Sequence, residues 1–181
     1  MKKHLFFILA AAALLLTACN ESNYYNYREF AFKFPKVYTA SGDYYPENDV
    51  TTFDFRSTKE DADWLHIQIY QLLDDVSDVS YDAWIQSMNE DVSAALIDAM
   101  QGLDYDYAED PNFFSSQPGQ EPYSGVTFHG HNNNFDKDTY YTILVNLADD
   151  AKYELVSFFE ATDLDTASEL MDIVFGMRLT E

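Results

Sequence analysis

Basic residues are scarce in this chain: 10 lysines and arginines stand against 32 aspartates and glutamates in 181 residues, a formal charge of −22 at pH 7. A surface of that sign repels phosphate backbones and excludes nucleic acid as a partner, while it admits cations and basic protein surfaces. Cysteine is scarcer still. The single Cys19 leaves no internal disulfide and no cysteine cluster for a metal, so stability in an oxidising compartment rests on packing. The 6 glycines build no phosphate-cradling loop. Ser124-Gly125 lacks the preceding glycine of a nucleophile elbow, and no spacing supplies a catalytic triad. Acids are so abundant that no pair of them marks a glycosidase. What is plentiful is aromatic surface, 17% of the chain, enough to build a core despite the charge.

Long apolar runs are also missing, with one exception. After Met-Lys2-Lys3-His4 the chain is apolar from Leu5 to Leu16, the charged and hydrophobic regions of a signal peptide. Twelve helical residues cover only about 18 Å of a hydrocarbon layer roughly 30 Å thick, which excludes a permanent span. The run ends in Leu16-Thr17-Ala18-Cys19, which resembles the lipobox of bacterial lipoproteins: an aliphatic residue, two small ones, then cysteine. The resemblance implies a diacylglycerol thioether on Cys19, cleavage before it, with Leu16, Thr17 and Ala18 as the peptidase recognition sequence, and acylation of the new amino group. An ordinary secretory signal with a chance cysteine is the alternative. Two or more acyl chains hold a protein stably on a membrane where one does so marginally. Asn20, rather than aspartate, beside the cysteine favours the outer membrane under the sorting rule of enteric bacteria.

These features divide the chain into a signal peptide over 1–18, a lipidated cysteine and tether over 19–27, and one domain over 28–181. Loss of residues 1–18 leaves 163 residues, a length that suits one domain. It moves the charge from −22 to −24, because Lys2 and Lys3 leave and no acid does. Residues 20–27 are polar without a core-forming period, so they read as a tether reaching roughly 25 Å when extended. Tyr24, Tyr25 and Tyr27 in it rest at the headgroup interface or in an exposed linker.

From Glu29 the residues alternate. Phe30, Phe32 and Phe34 share one face before Pro35; Phe53 and Phe55 repeat the device after a loop holding Gly42, Pro46 and Asn48; Leu65, Ile67 and Ile69 form the inner face of a third strand. Three strands with short connections predict antiparallel pairing. The period then changes to three and four at Trp84, Met88, Val92, Ala95, Leu96 and Ala99, a helix entered near Ser80 and left at Gly102. Pro111, Pro118 and Pro122 interrupt residues 103–122, which hold a short strand at 112–116. Val126 and Phe128 mark another strand; Tyr141 to Leu147 and Tyr153 to Phe159 form a hairpin through residues 148–151. Ala167, Leu170, Met171 and Val174 make a second helical stripe, started by Thr162 or Asp163 and stopped by Gly176.

The expected fold is therefore α+β, an antiparallel sheet flanked by two helices. This order, the opening strand ending Phe-Lys-Phe-Pro35 and the closing helix running into Phe175-Gly-Met-Arg-Leu179 resemble the PsbP/Mog1/DcrB-like family. The resemblance implies an α/β/α sandwich and, among bacterial members, envelope lipoproteins without an established enzymatic role or catalytic residues.

One constellation points to chemistry. His129 and His131 on a continuing strand share the face away from the core, about 7 Å apart, and Asp136 or Asp138 returns from the loop as a third ligand for a transition metal. An exposed strand end with ordinary histidines is the plainer alternative. Asn132, Asn134, Asp136 and Asp138 also alternate like a calcium loop, but Lys137 and Ile143 stand where its glycine and bidentate acid belong. Asp104, Asp106, Glu109 and Asp110 form a second acidic group. Trp64 and Tyr70, with Tyr44 and Tyr45, present an aromatic face to a peptide or sugar or lie beneath a helix; His66 beside them reads as a half-buried sheet residue. The sequence thus predicts a non-enzymatic envelope lipoprotein, without cofactor, whose domain binds another envelope component. The alternative is a cation-binding accessory protein using His129 and His131.

Overall fold

The structure, a computed structural model, describes residues 22–72, 79–107, 110–148 and 151–180. The lipobox residues Leu16, Thr17, Ala18 and Cys19 lie outside them, as does Glu109.

Phenylalanine at every second position makes Phe30–Pro35 (β2) a strand that buries Phe30, Phe32 and Phe34 and turns Lys33 outward. Its partner corrects the tether. Ser22–Tyr27 (β1) pairs with β2 along its whole length, from Ser22 opposite Pro35 to Tyr27 opposite Phe30. The polar composition hides the strand because tyrosine buries its ring while keeping its hydroxyl wet. Tyr25 and Tyr27 stand edge-on to Phe53, with ring centroids 6.3 and 6.0 Å away. The folded domain therefore begins by Ser22, not at residue 28.

Arg178–Leu179 (β11) adds to the other edge of β2, completing a three-stranded sheet in the order β1-β2-β11. This sheet is separate from the main one, which corrects the expectation that β2 pairs with the strands after it. Three phenylalanines on one side of a strand need an apolar face, not an edge. Phe32 packs on Phe53 and Phe55 at 4.6 and 5.4 Å between centroids, and Phe34 on Phe55 at 5.2 Å.

The main sheet comprises Tyr38–Tyr45 (β3), Val50–Ser57 (β4), Trp64–Gln71 (β5), Tyr105–Tyr107 (β6), Asn112–Ser115 (β7), Tyr123–Asn132 (β8), Lys137–Ala148 (β9) and Tyr153–Ala161 (β10). Its order is β3-β4-β5-β10-β9-β8-β6, with β7 also on β8, and every pairing is antiparallel. The segment expected as a loop around Gly42 is β3. A Cβ at Gly42 would lie 3.1 Å from the Tyr27 ring and 3.2 Å from Phe53, tighter than ordinary packing, so glycine eases the close approach of the small sheet.

The helices cover opposite faces. Tyr81–Gly102 (α1) starts at Ser80, whose hydroxyl accepts from the Ala83 N–H, and lays Met88, Val92 and Leu96 on Val126, Phe128, Tyr141, Ile143 and Val145. Leu164–Phe175 (α2) starts at Asp163, which accepts from the Thr166 N–H at 2.7 Å. It buries Ala167, Leu170, Ile173 and Val174 beside the small sheet, over Leu65, Ile67, Leu144, Leu155 and Phe159. The architecture is the expected α+β sandwich with an added small sheet on the α2 side. Among the described residues no helix is long and apolar enough to cross a membrane.

Candidate functional site

The expected metal constellation is only partly assembled. His129 and His131 do share the face of β8 opposite Phe128, as alternation requires, but register gives each a different partner. His131 lies opposite Asp138 and holds it at 2.9 Å through Nδ1, while its Nε2 is 3.4 Å from Asp136 in the adjoining turn. His129 lies opposite Tyr140 and stacks on that ring at 4.5 Å. Three of the four residues thus meet around one imidazole and the fourth is turned to a phenol. Among the described residues no group of three or more histidine, cysteine, aspartate or glutamate side chains is placed to hold a metal, which corrects the four-residue site. The hydrogen bond to Asp138, with the charges of Asp138 and Asp136, outweighs desolvation and raises the His131 pKa above the ordinary imidazole value.

The neighbouring asparagine has a structural task. Asn132 caps the turn by accepting from the Asn134 N–H at 2.9 Å and donates through Nδ2 to Glu160 at 2.7 Å. Glu160, 1% exposed, also accepts from the Thr139 hydroxyl at 2.5 Å and the Trp64 indole N–H at 3.0 Å. Three donors from three strands converge on one buried carboxyl.

Beyond Trp64 the face of β5 is half open, because α1 lies over β8 and β9. A hydrogen-bonded row crosses it: Asp54 to His66 Nδ1 at 3.1 Å, His66 Nε2 to Gln68 at 3.3 Å, and the Tyr70 hydroxyl donating to Gln68 at 2.7 Å. His66 is the half-buried sheet residue expected of it. Where the row ends, Glu154 lies opposite Tyr70, and desolvation followed by repulsion from Asp91 of α1 raises its pKa. A carboxyl whose folded pKa exceeds its unfolded one favours the fold when protonated, and that contribution is lost as pH rises through the folded value. Glu154→Gln is therefore expected to raise the urea midpoint at pH 7 and to flatten the decline of stability above the ordinary carboxylate range, measured by unfolding between pH 4 and 8.

Two recesses flank residues 120–122, on opposite faces of the main sheet. One, about 520 Å³, lies on the α1 side and is lined by Tyr81 and Trp84 at the start of α1, by residues 119–122 and by Leu147, Ala148 and Ala151. The other, a cleft of about 290 Å³, lies on the α2 side and is lined by residues 120–123, Asn146, Leu147 and Phe175. The Leu147 N–H donates to the Pro122 carbonyl at 3.4 Å. Phe175 is 44% exposed and stands edge-on to Tyr123 at 5.3 Å. Asn146 is the unusual member. It is 5% exposed and donates through Nδ2 to the Leu147 carbonyl at 3.3 Å, yet its Oδ1 has no hydrogen-bond partner among the described residues. A buried acceptor without a donor costs about 1–3 kcal/mol, and such groups require an explanation in the protein's chemistry. Aromatic walls for stacking and an acceptor waiting for a donor suit a ligand that brings an N–H or O–H on an apolar body.

Neither Asn146 nor Glu160 carries a motif that marks it in the sequence. Each is a lone polar residue inside an apolar strand, Leu144-Val-Asn-Leu147 and Phe158-Phe-Glu-Ala161, and that interruption is the one signal available.

No protein-family model and no curated protein matches the sequence. Among solved structures, the chain is similar to the solution structure of cyanobacterial PsbP (CyanoP) from Synechocystis sp. PCC 6803, at 14% identity over 88% of this chain and 92% of that chain, with a TM-score of 0.48.

Proposed function

We propose that this protein is a non-enzymatic lipoprotein of the bacterial envelope, anchored through acylated Cys19 in the outer membrane, whose α+β domain binds another envelope component in the cleft bounded by residues 120–123, Asn146 and Phe175. Attachment rests on the charged and apolar leader and the lipobox-like Leu16-Thr17-Ala18-Cys19. Element order and the two quoted sequence ends support a PsbP/Mog1/DcrB-like domain. The observation that carries binding is Asn146 Oδ1, buried beside the cleft without a donor among the described residues.

Cross-linking in intact cells followed by mass spectrometry tests it, with Asn146→Leu as the comparison. A partner recovered reproducibly with the parent protein and at least several-fold less with the variant supports the reading. Recovery of none, or equal yield from both, overturns it. Asn146→Leu removes the unpartnered Oδ1 together with the Nδ2 hydrogen bond to the Leu147 carbonyl, and urea unfolding of the variant separates lost binding from lost fold. Elemental analysis of natively purified protein addresses the cation-binding alternative expected at His129 and His131: stoichiometric zinc or copper would count against the partner-binding reading.

A further inference from the structure

The small sheet has an outward face with a composition unlike the rest of the chain. Cross-strand register puts Tyr24 beside Lys33, and Ala31 between Asn26 and Arg178, all turned away from the core. Tyr24, at 72%, is the most exposed large hydrophobic residue described, and Lys33 and Arg178 are exposed near it. No strand residue on this face is acidic, although the chain as a whole carries −22. A groove of about 580 Å³ between this face and α2 is lined by the same Tyr24, Lys33 and Arg178, with Glu169 and Asp172 contributed by the helix.

The chain before this face is short. Only Asn20 and Glu21 separate Cys19 from the first residue of β1, three Cα steps that span at most about 11 Å. An acylated Cys19 at the membrane surface therefore holds the small sheet within a headgroup's reach. The inner face of that sheet is already packed on Phe53 and Phe55. The outward face is what remains to meet the bilayer.

We propose that the outward face of the small sheet lies on an anionic phospholipid surface, with Lys33 and Arg178 at headgroup phosphates and the Tyr24 ring at the interface where amphipathic aromatics are favoured. The proposal rests on lipid attachment through Cys19. Two cations and one ring would bind vesicles weakly by themselves; the anchor makes their contact intramolecular and so raises its effective concentration. The main sheet separates this face from α1, whose Asp82, Glu90 and Asp98 then stand away from the anionic surface.

The test uses the full chain, extracted with its lipid and reconstituted in vesicles of phosphatidylglycerol and phosphatidylcholine carrying a nitroxide at the headgroup. Trp64 and Trp84 belong to the α1 side and serve as internal controls. Tyr24→Trp is expected to add emission that the nitroxide quenches at least twofold more than parental emission, and Lys33→Glu with Arg178→Glu is expected to abolish the excess. An added tryptophan quenched no more than the parental pair, or quenching unchanged by charge reversal, overturns the proposal. Intact mass and vesicle flotation report the anchor separately. Unlipidated, non-floating protein overturns attachment and the membrane face together, whereas lipidated, floating protein without excess quenching overturns the face alone.

Discussion

Glu160→Ala is expected to lower the unfolding free energy by about 3–5 kcal/mol, the scale observed when one member of a buried charged or hydrogen-bonded set is removed and the rest are stranded. Three donors lose their acceptor at once: Asn132 Nδ2, the Thr139 hydroxyl and the Trp64 indole N–H. Water cannot easily replace it, since Asn132 and Thr139 are themselves buried. Thr139 is also held by Tyr105, whose hydroxyl contacts both its carbonyl and its side chain, so the disturbance reaches β6. Glu160→Gln retains one carbonyl oxygen for Asn132 and Thr139 but turns an amide N–H₂ toward the indole N–H. Its loss should fall between alanine and the parent. Urea unfolding followed by tryptophan emission measures both, and Trp64 reports directly on the site. A loss below about 1 kcal/mol for alanine would show that the carboxyl is not the keystone of this end of the sheet.

Cys19→Ser is expected to give an all-or-none result in the cell. If the sulfur of Cys19 accepts diacylglycerol, serine at that position offers no thioether and the leader is not removed by the lipoprotein peptidase. The variant should lose the acyl mass and retain residues 1–18 or be processed elsewhere. Detergent partitioning should change with it, because no described helix can substitute as a span. Intact mass spectrometry and phase partitioning are the measurements. An unchanged mass apart from the one-atom substitution, with unchanged partitioning, would remove the anchor from the proposed function.

Helices and central strands are legible in the sequence because their side chains repeat with the period of the backbone. Met88, Val92 and Leu96 announce α1, and Phe30, Phe32 and Phe34 announce β2, since burial on one face leaves a periodic trace. Sheet membership leaves no such trace. Phe32 and Phe53 look alike whether their strands pair edge to edge or stack face to face, and only tertiary packing decides. β1 is hidden because Tyr24, Tyr25 and Tyr27 are aromatic on both faces, so alternation between core and solvent produces no alternation of residue class. β3 is hidden by Ser41, Gly42 and Asp43, turn formers that here serve a close approach and an exposed edge. In the candidate metal group, alternation places both histidines on one face correctly. The cross-strand partner then separates them, since Tyr140 and Asp138 lie on a different strand and the register of that strand cannot be read from β8 alone. The cleft around Asn146 joins residues 120–123, 146, 147 and 175, and no local pattern connects them.

The position of β10 gives the fold a timetable. It is among the last strands in the chain and yet sits in the middle of the main sheet, between β5 and β9. Trp64 and Glu160, joined by a hydrogen bond in the finished domain, are 96 residues apart. Until residues 153–161 are available, β3-β4-β5 and the later β6 to β9 are two unjoined fragments, each with an uncovered edge. Closing so large a loop costs entropy before any contact repays it, and sheets dominated by such pairings fold slowly. A chain delivered from its amino end would therefore present exposed strand edges for most of its passage, and a holding chaperone would act before β10 arrives and not after. Mixing purified protein out of urea and following Trp64, which gains its Glu160 partner only at that step, should show its signal changing in the slowest phase.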